Sequence, residues 1–143
     1  MEINQSAPVK QEKQIVIHAT PQKVWKTLTN IEQWKDWNSS IKNAKLNGEI
    51  AKGTQFIWHS NGSKIKSMIQ ITHEDKVFGW TGKTFGGTAI HIWYLEKTAQ
   101  GTLLKVKESM EGWLVSLFKK KMNEILEKDM LSWLTALKRE CEK

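Results

Sequence analysis

Between Ile41 and Gly112 apolar and polar residues alternate, the period of strands buried on one face. Three turn signals set how those strands pair. Asn61-Gly62 is a strong hairpin signal and pairs Trp58 with Ile65 and Phe56 with Ser67. A four-residue turn at His73–Lys76 pairs Ile71 with Phe78, Ile69 with Trp80 and Ser67 with Gly82. A turn at Thr98–Gly101 pairs Leu95 with Leu104, Trp93 with Val106 and His91 with Glu108. One face then collects Phe56, Trp58, Ile65, Ile69, Ile71 and Phe78, and further along Trp80, Trp93, Leu95, Leu104, Val106 and Met110. A one-residue slip at any turn would break that agreement. The other face carries Gln55, His59, Lys64, Lys66, Gln70, Lys105 and Lys107, and is expected in water apart from Ile90, Ile92 and Tyr94. Consecutive hairpins make an antiparallel meander whose apolar face is free to receive a helix. Lys83–Thr88, with Gly86-Gly87, reads as a longer connection and a candidate mobile lip.

The two ends of the chain supply the helices. Trp113 to Cys141 contains no Pro or Gly, and Val115, Phe118, Met122, Ile125, Leu126, Trp133 and Leu137 recur at three- and four-residue steps. That spacing predicts one helix of roughly 40 Å with an apolar stripe wide enough to lie along a sheet. Asp129 interrupts the stripe, seven residues from both Met122 and Ala136. Near the start, Gln14–Ala19 reads as a strand, and residues 1–12 as a flexible arm before a single domain over 13–143. Thr20-Pro21 marks a helix start, with Thr as the cap and Pro in the first turn. That helix buries Val24, Trp25 and Leu28, and a second short one holds Ile31 and Trp34.

Composition narrows the class. The chain of 143 residues is long enough for one domain with a core. The net charge of +7 is almost all lysine, scattered except at Lys119–Lys121, and scattered lysine is the usual dress of a solvated face. A polar beginning and a lone cysteine, Cys141, give a cytoplasmic expectation. No apolar run approaches a membrane span. The eight tryptophans stand out; indoles in such number line a core or a large apolar cavity.

The order of strand, two short helices, about six antiparallel strands and a long C-terminal helix is α+β and of helix-grip type. The sequence resembles the START-like (SRPBCC) superfamily, in particular its polyketide cyclase/dehydrase and lipid-transport-like branch. The residues that carry the resemblance begin with Ala19-Thr20-Pro21-Gln22-Lys23-Val24-Trp25 and Ile31-Glu32-Gln33-Trp34-Lys35-Asp36-Trp37-Asn38. They continue through Gly53-Thr54-Gln55-Phe56-Ile57-Trp58, Trp80-Thr81-Gly82 and Ala89-Ile90-His91-Ile92-Trp93. Gly101-Thr102, Glu108-Ser109, Gly112 and Trp133-Leu134-Thr135-Ala136-Leu137-Lys138 complete them. The resemblance implies a curved sheet of six to seven strands wrapped around the C-terminal helix, with a cavity between them. It does not choose among lipid carriers, receptors and cyclases.

The candidate site follows from the inner face. His91 and Glu108 are polar, sit among apolar neighbours and fall opposite one another, close enough to bond. They read either as a polar anchor or acid/base pair aimed into a cavity, or as a mutually satisfied core pair. Asp129 would face them from the helix or sit at the rim. Ser67 is a hydroxyl on the inner face, or simply makes room. Phe56, Trp58, Trp80, Trp93, Met122 and Trp133 are core residues first and cavity walls second. His18, His59 and His73 build no metal cluster with His91, and no phosphate loop or nucleophile motif is present. The expectation is a protein that binds a hydrophobic or amphipathic small molecule, with no cofactor, metal, nucleic acid or integral membrane contact. A cyclase or dehydratase using the same pair, and a co-chaperone-like interaction module, are the alternatives. Oligomeric state is not legible.

Overall fold

The computed structural model describes residues 1–143. Seven strands form one antiparallel sheet: β1 (Val9–Ile17), β2 (Ile41–Asn47), β3 (Gln55–Ser60), β4 (Ser63–His73), β5 (Val77–Thr84), β6 (Gly87–Thr98) and β7 (Gly101–Glu111). Their order is β1-β7-β6-β5-β4-β3-β2, so β2 to β7 run as a meander and β1 closes against β7. Between β1 and β2 lie α1 (Pro21–Thr29), a 3-10 turn (Ile31–Gln33) and α2 (Trp34–Trp37). The chain ends in α3 (Trp113–Leu117) and α4 (Lys119–Cys141). This is the helix-grip fold.

The hairpin registers come out as the side-chain pattern demands. Trp58 pairs with Ile65, Ile69 with Trp80, Trp93 with Val106 and His91 with Glu108. Asn61 and Gly62 both have positive φ, as a two-residue hairpin turn requires. One register differs. Ile71 pairs with Gly79 rather than Phe78, because the turn after β4 is three residues long with Asp75 at φ 64°. A bulge between Ile69 and Ile71 absorbs the extra residue, so alternation is restored from Ile69 onward. Ile71 therefore faces outward, over Gly79.

Three expected boundaries also move. β1 starts at Val9, so residues 9–12, expected in the arm, are its first half. Val9 is fully buried, but Gln11 and Lys13 share its face of the strand and hide the alternation. Their side chains reach α4 instead, Gln11 Nε2 donating to Asn123 O and Lys13 pairing with Glu127. Residues before Val9 also lie against the sheet: Asn4 N donates to Ser109 Oγ at 2.9 Å. Met1 Sδ sits 3.2 Å from where a Cβ on Gly79 would be, beside the fully buried Ile92 of the outer face. The Lys83–Thr88 connection is a tight turn on Phe85-Gly86, with Lys83 still paired to Thr88. Finally, the C-terminal helix breaks at Phe118 (φ −116°, ψ 40°). Leu114 N donates to Gly86 O, tying α3 to the β5–β6 turn. The stripe rotates at the break, leaving Phe118 and Ile125 exposed while Leu126, Met130, Trp133, Leu134 and Leu137 are buried.

The core lies between the concave face and α4. Its centre is Trp34, the first residue of α2, fully buried and donating from Nε1 to Leu28 O at 2.8 Å. Its ring stands 5.1–5.7 Å from those of Phe56, Trp58, Trp80 and Trp133. The insert after β1 thus plugs one end of the space between sheet and helix.

Candidate functional site

What remains of that space is a cavity of about 200 Å³ at the end of the grip away from α1 and α2. The sheet contributes Trp58, Ile65, Trp80, His91, Glu108 and Met110 to its wall. The C-terminal helix contributes Met122, Leu126, Asp129, Met130 and Trp133. Its mouth lies between the Asn61 hairpin, the β5–β6 turn and the first half of α4. An apolar cavity of about 150 Å³ holds a benzene ring, so this one fits a molecule of about one or two rings. It is smaller than the roughly 300–1,000 Å³ typical of pockets for drug-sized ligands.

Not every expected wall residue reaches the cavity. Trp58, Trp80, His91, Glu108, Met122 and Asp129 do. Phe56 and Trp93 do not: Phe56 packs on Trp34, and Trp93 lies under Trp133 at 5.7 Å. Ser67 is also outside it, its Oγ accepting the Trp58 Nε1–H at 3.0 Å. That bond fixes the indole against the sheet. Trp133, expected as core first and wall second, lines it too, and Met110, Ile65 and Met130 are walls that pattern alone did not single out as site residues. Met130 sits one turn beyond Leu126 on α4 and Trp133 two turns beyond it, on the same face, which is the available signal.

The polar end of the cavity is the His91–Glu108 pair. The two residues are at facing positions of β6 and β7, His91 buried and Glu108 mostly so. His91 Nδ1 is hydrogen-bonded to Glu108 Oε1. The imidazole lies flat on the Trp80 indole, with ring centres 4.5 Å apart and planes 4° from parallel. The stack on one face and the Glu108 bond at the ring edge together set the orientation of the imidazole, and with it the direction of its other nitrogen. Nε2 is buried and has no protein partner. With Glu108 accepting from Nδ1–H, Nε2 accepts a hydrogen bond in the neutral ring and donates one in the cation. A fixed imidazole with its carboxylate at one end of a mostly apolar chamber is an arrangement that can hold the polar end of an amphipathic guest.

Asp129 lies at the mouth, half-buried, accepting from Asn61 Nδ2 at 3.1 Å. The contact ties the β3–β4 hairpin to α4 across the opening. Burial pushes the Asp129 carboxyl above the usual carboxylate range; the Asn61 bond pulls it back, and the charge of Glu108 adds to the rise. The unfolded chain therefore loses this proton first as pH rises, and stability falls through the interval between the two values. Asp129→Asn removes that loss while keeping an acceptor for Asn61. The variant is expected to exceed the parent in stability at pH 7, by less than about 1 kcal/mol because the carboxyl is partly solvated. The gain should vanish at about pH 3, where both states are protonated. Urea denaturation at the two pH values checks this.

No group of three or more His, Cys, Asp or Glu side chains is placed to hold a metal ion. No helix is long and apolar enough to cross a membrane.

The geometry has recognisable relatives. Residues 8–142 match the family described as polyketide cyclase / dehydrase and lipid transport. No curated protein matches the sequence. Among solved structures, a START superfamily protein from Mycobacterium smegmatis superposes with a TM-score of 0.82 at 12% identity, over 93% of this chain and 97% of that one. The Zhui aromatase/cyclase from Streptomyces sp. R1128 gives 0.80 at 14% identity, over 93% of each chain. A hypothetical protein from Helicobacter pylori gives 0.79 at 18% identity, over 93% and 86%. At such identities these likenesses are of fold.

Proposed function

We propose a ligand-binding function from one premise: the chain belongs to the polyketide cyclase / dehydrase and lipid transport family. The protein holds a small amphipathic molecule of one or two rings, apolar body among Trp58, Trp80, Met122 and Trp133, polar end on His91 Nε2. The observation that carries this reading is the buried, unpartnered Nε2, held in place by Glu108 and the Trp80 stack. A buried polar atom without a partner is costly, and a ligand hydroxyl or carbonyl removes that cost.

The test compares 1-naphthol with naphthalene, two probes of nearly one shape. Both are expected to quench tryptophan emission, and 1-naphthol is expected to bind about tenfold tighter, the worth of one net hydrogen bond. His91→Phe should abolish the difference while naphthalene still binds. If neither probe binds, the interior is simply packed, and an interaction module is the better reading.

One observation favours a second reading. A carboxylate orienting Nδ1 of an imidazole that lines a chamber is also the disposition of a general acid/base. Proton transfer to or from a bound carbonyl compound, as in a cyclase or dehydratase, would use His91 for the proton and Glu108 for position. Turnover of a polyketide-like substrate that is lost in His91→Phe, with 1-naphthol analogues still quenching, would select it over simple binding.

A further inference from the structure

Outside the cavity, the most unusual surface is built on the β5–β6 turn and α3. Phe85 is 79% exposed, Trp113 61%, Leu117 67% and Phe118 51%. They form one patch. The Phe85 and Trp113 rings meet edge to face at 5.6 Å. Trp113 and Leu117 are four apart on α3 and share its outer side. The patch is held rigidly: Leu114 N bonds Gly86 O, Val115 is buried, and a Cβ on Gly112 would fall 2.5 Å from Gly86 O. Exposed aromatics on a rigid support are not core residues that failed to find cover.

Lysine surrounds the patch on two sides. A shallow groove beside Phe85 is lined by Lys64, Lys66 and Lys83 and by no carboxylate. On the other side, Lys119, Lys120 and Lys121 directly follow Phe118 and are all exposed. None of these six is in an ion pair; the lysines that are paired are Lys13, Lys107, Lys138 and Lys143. Of the acidic residues adjacent in sequence, Glu111 is engaged by the Asn4 amide, and Glu124 lies a turn further along α4. Three lysines in the first turn of α4, which has no acidic residue and no side-chain cap, oppose the helix dipole. Helix stability therefore does not explain them.

We infer that this face docks the protein on an anionic lipid bilayer, with Phe85, Trp113, Leu117 and Phe118 entering the interfacial layer and the six lysines meeting headgroup charge. Indole, phenyl and leucyl groups beside lysine are the composition that lies in a membrane interface. Lysine, a point charge, suits a diffuse negative surface, whereas arginine is favoured where phosphates are gripped individually, as on nucleic acid. The patch also borders the mouth, since Lys83 and Thr84 belong both to the basic groove and to the cavity rim. A docked protein would present its opening to the bilayer.

The experiment is co-sedimentation of the full chain with vesicles of phosphatidylcholine, alone or with phosphatidylglycerol added. Binding is expected only with phosphatidylglycerol and should be lost in high salt. Lys119→Gln/Lys120→Gln/Lys121→Gln, which relieves the helix dipole and keeps the fold, should weaken binding about a hundredfold, near fivefold per charge. Phe85→Ser/Trp113→Ser should weaken it at least about tenfold at unchanged charge. Equal binding to both vesicle types, or no binding, overturns the inference. So does self-association of the parent that both variants abolish without any vesicle binding, which would make the face a contact between copies. Retention on polyglutamate or heparin without vesicle binding overturns it too. The inference does not depend on the ligand reading: His91→Phe should still sediment with vesicles, and the lysine variant should still bind 1-naphthol.

Discussion

Trp34→Ala is expected to lower the stability of the protein by about 3–5 kcal/mol, the range for removing a buried indole. Few side chains here touch so much. Trp34 is fully buried, meets four other aromatic rings and satisfies Leu28 O. Its removal opens a void among Phe56, Trp58, Trp80 and Trp133, which α4 and the sheet, held apart by one another's packing, cannot close. Set against a total of about 5–15 kcal/mol for a domain, the loss takes a large share of the stability. Trp34→Phe keeps a ring in place and gives up the Nε1–H bond, so its cost should stay near about 1–2 kcal/mol. Urea denaturation followed by circular dichroism reads both. A loss below about 1 kcal/mol for Trp34→Ala would mean that the insert after β1 is a cover rather than the plug of the fold.

That plug also explains what the sequence left hidden. The sheet could be read because period-two alternation and turn chemistry act locally: Asn61-Gly62 fixes one hairpin, and neighbouring registers must agree with it. The bulge at Gln70 could not be read, because it compensates a turn one residue shorter than expected. Val9 was hidden by Gln11 and Lys13, whose partners, Asn123 and Glu127, are more than a hundred residues away. The break at Phe118 has no Pro or Gly to announce it; it follows from α3 being tied to Gly86. The site divides the same way. His91 facing Glu108 is a register statement and came through. Which side chains line the cavity depends on where Trp34 and Trp133 come to rest, and so Phe56, Trp93 and Ser67 fell behind the wall while Met110 and Met130 came forward. Contacts made through three-dimensional packing leave no period in the chain.

The His91–Glu108 pair is where stability and function make opposite demands. Glu108→Leu alone should cost about 1–3 kcal/mol, as removing one partner leaves the Nδ1–H of the buried imidazole unsatisfied. In this variant both nitrogens of the imidazole lack protein partners, because Nε2 already has none. Replacing both members by apolar groups of similar shape is a different experiment. His91→Phe/Glu108→Leu keeps a ring stacked on Trp80 and removes every unsatisfied polar atom of the pair, so it is expected within about 1 kcal/mol of the parent or above it. The double variant should bind 1-naphthol no better than naphthalene, losing the tenfold preference of the parent. A pair retained for packing alone predicts the reverse: the double variant unstable, the probe preference absent from the start. Equilibrium denaturation of the parent, both single variants and the double variant closes a cycle whose interaction energy isolates the pair, and probe titrations on the same four proteins report its use. A stable double variant with its preference gone would mean that a buried histidine bonded on one side only is kept here for what it meets on the other.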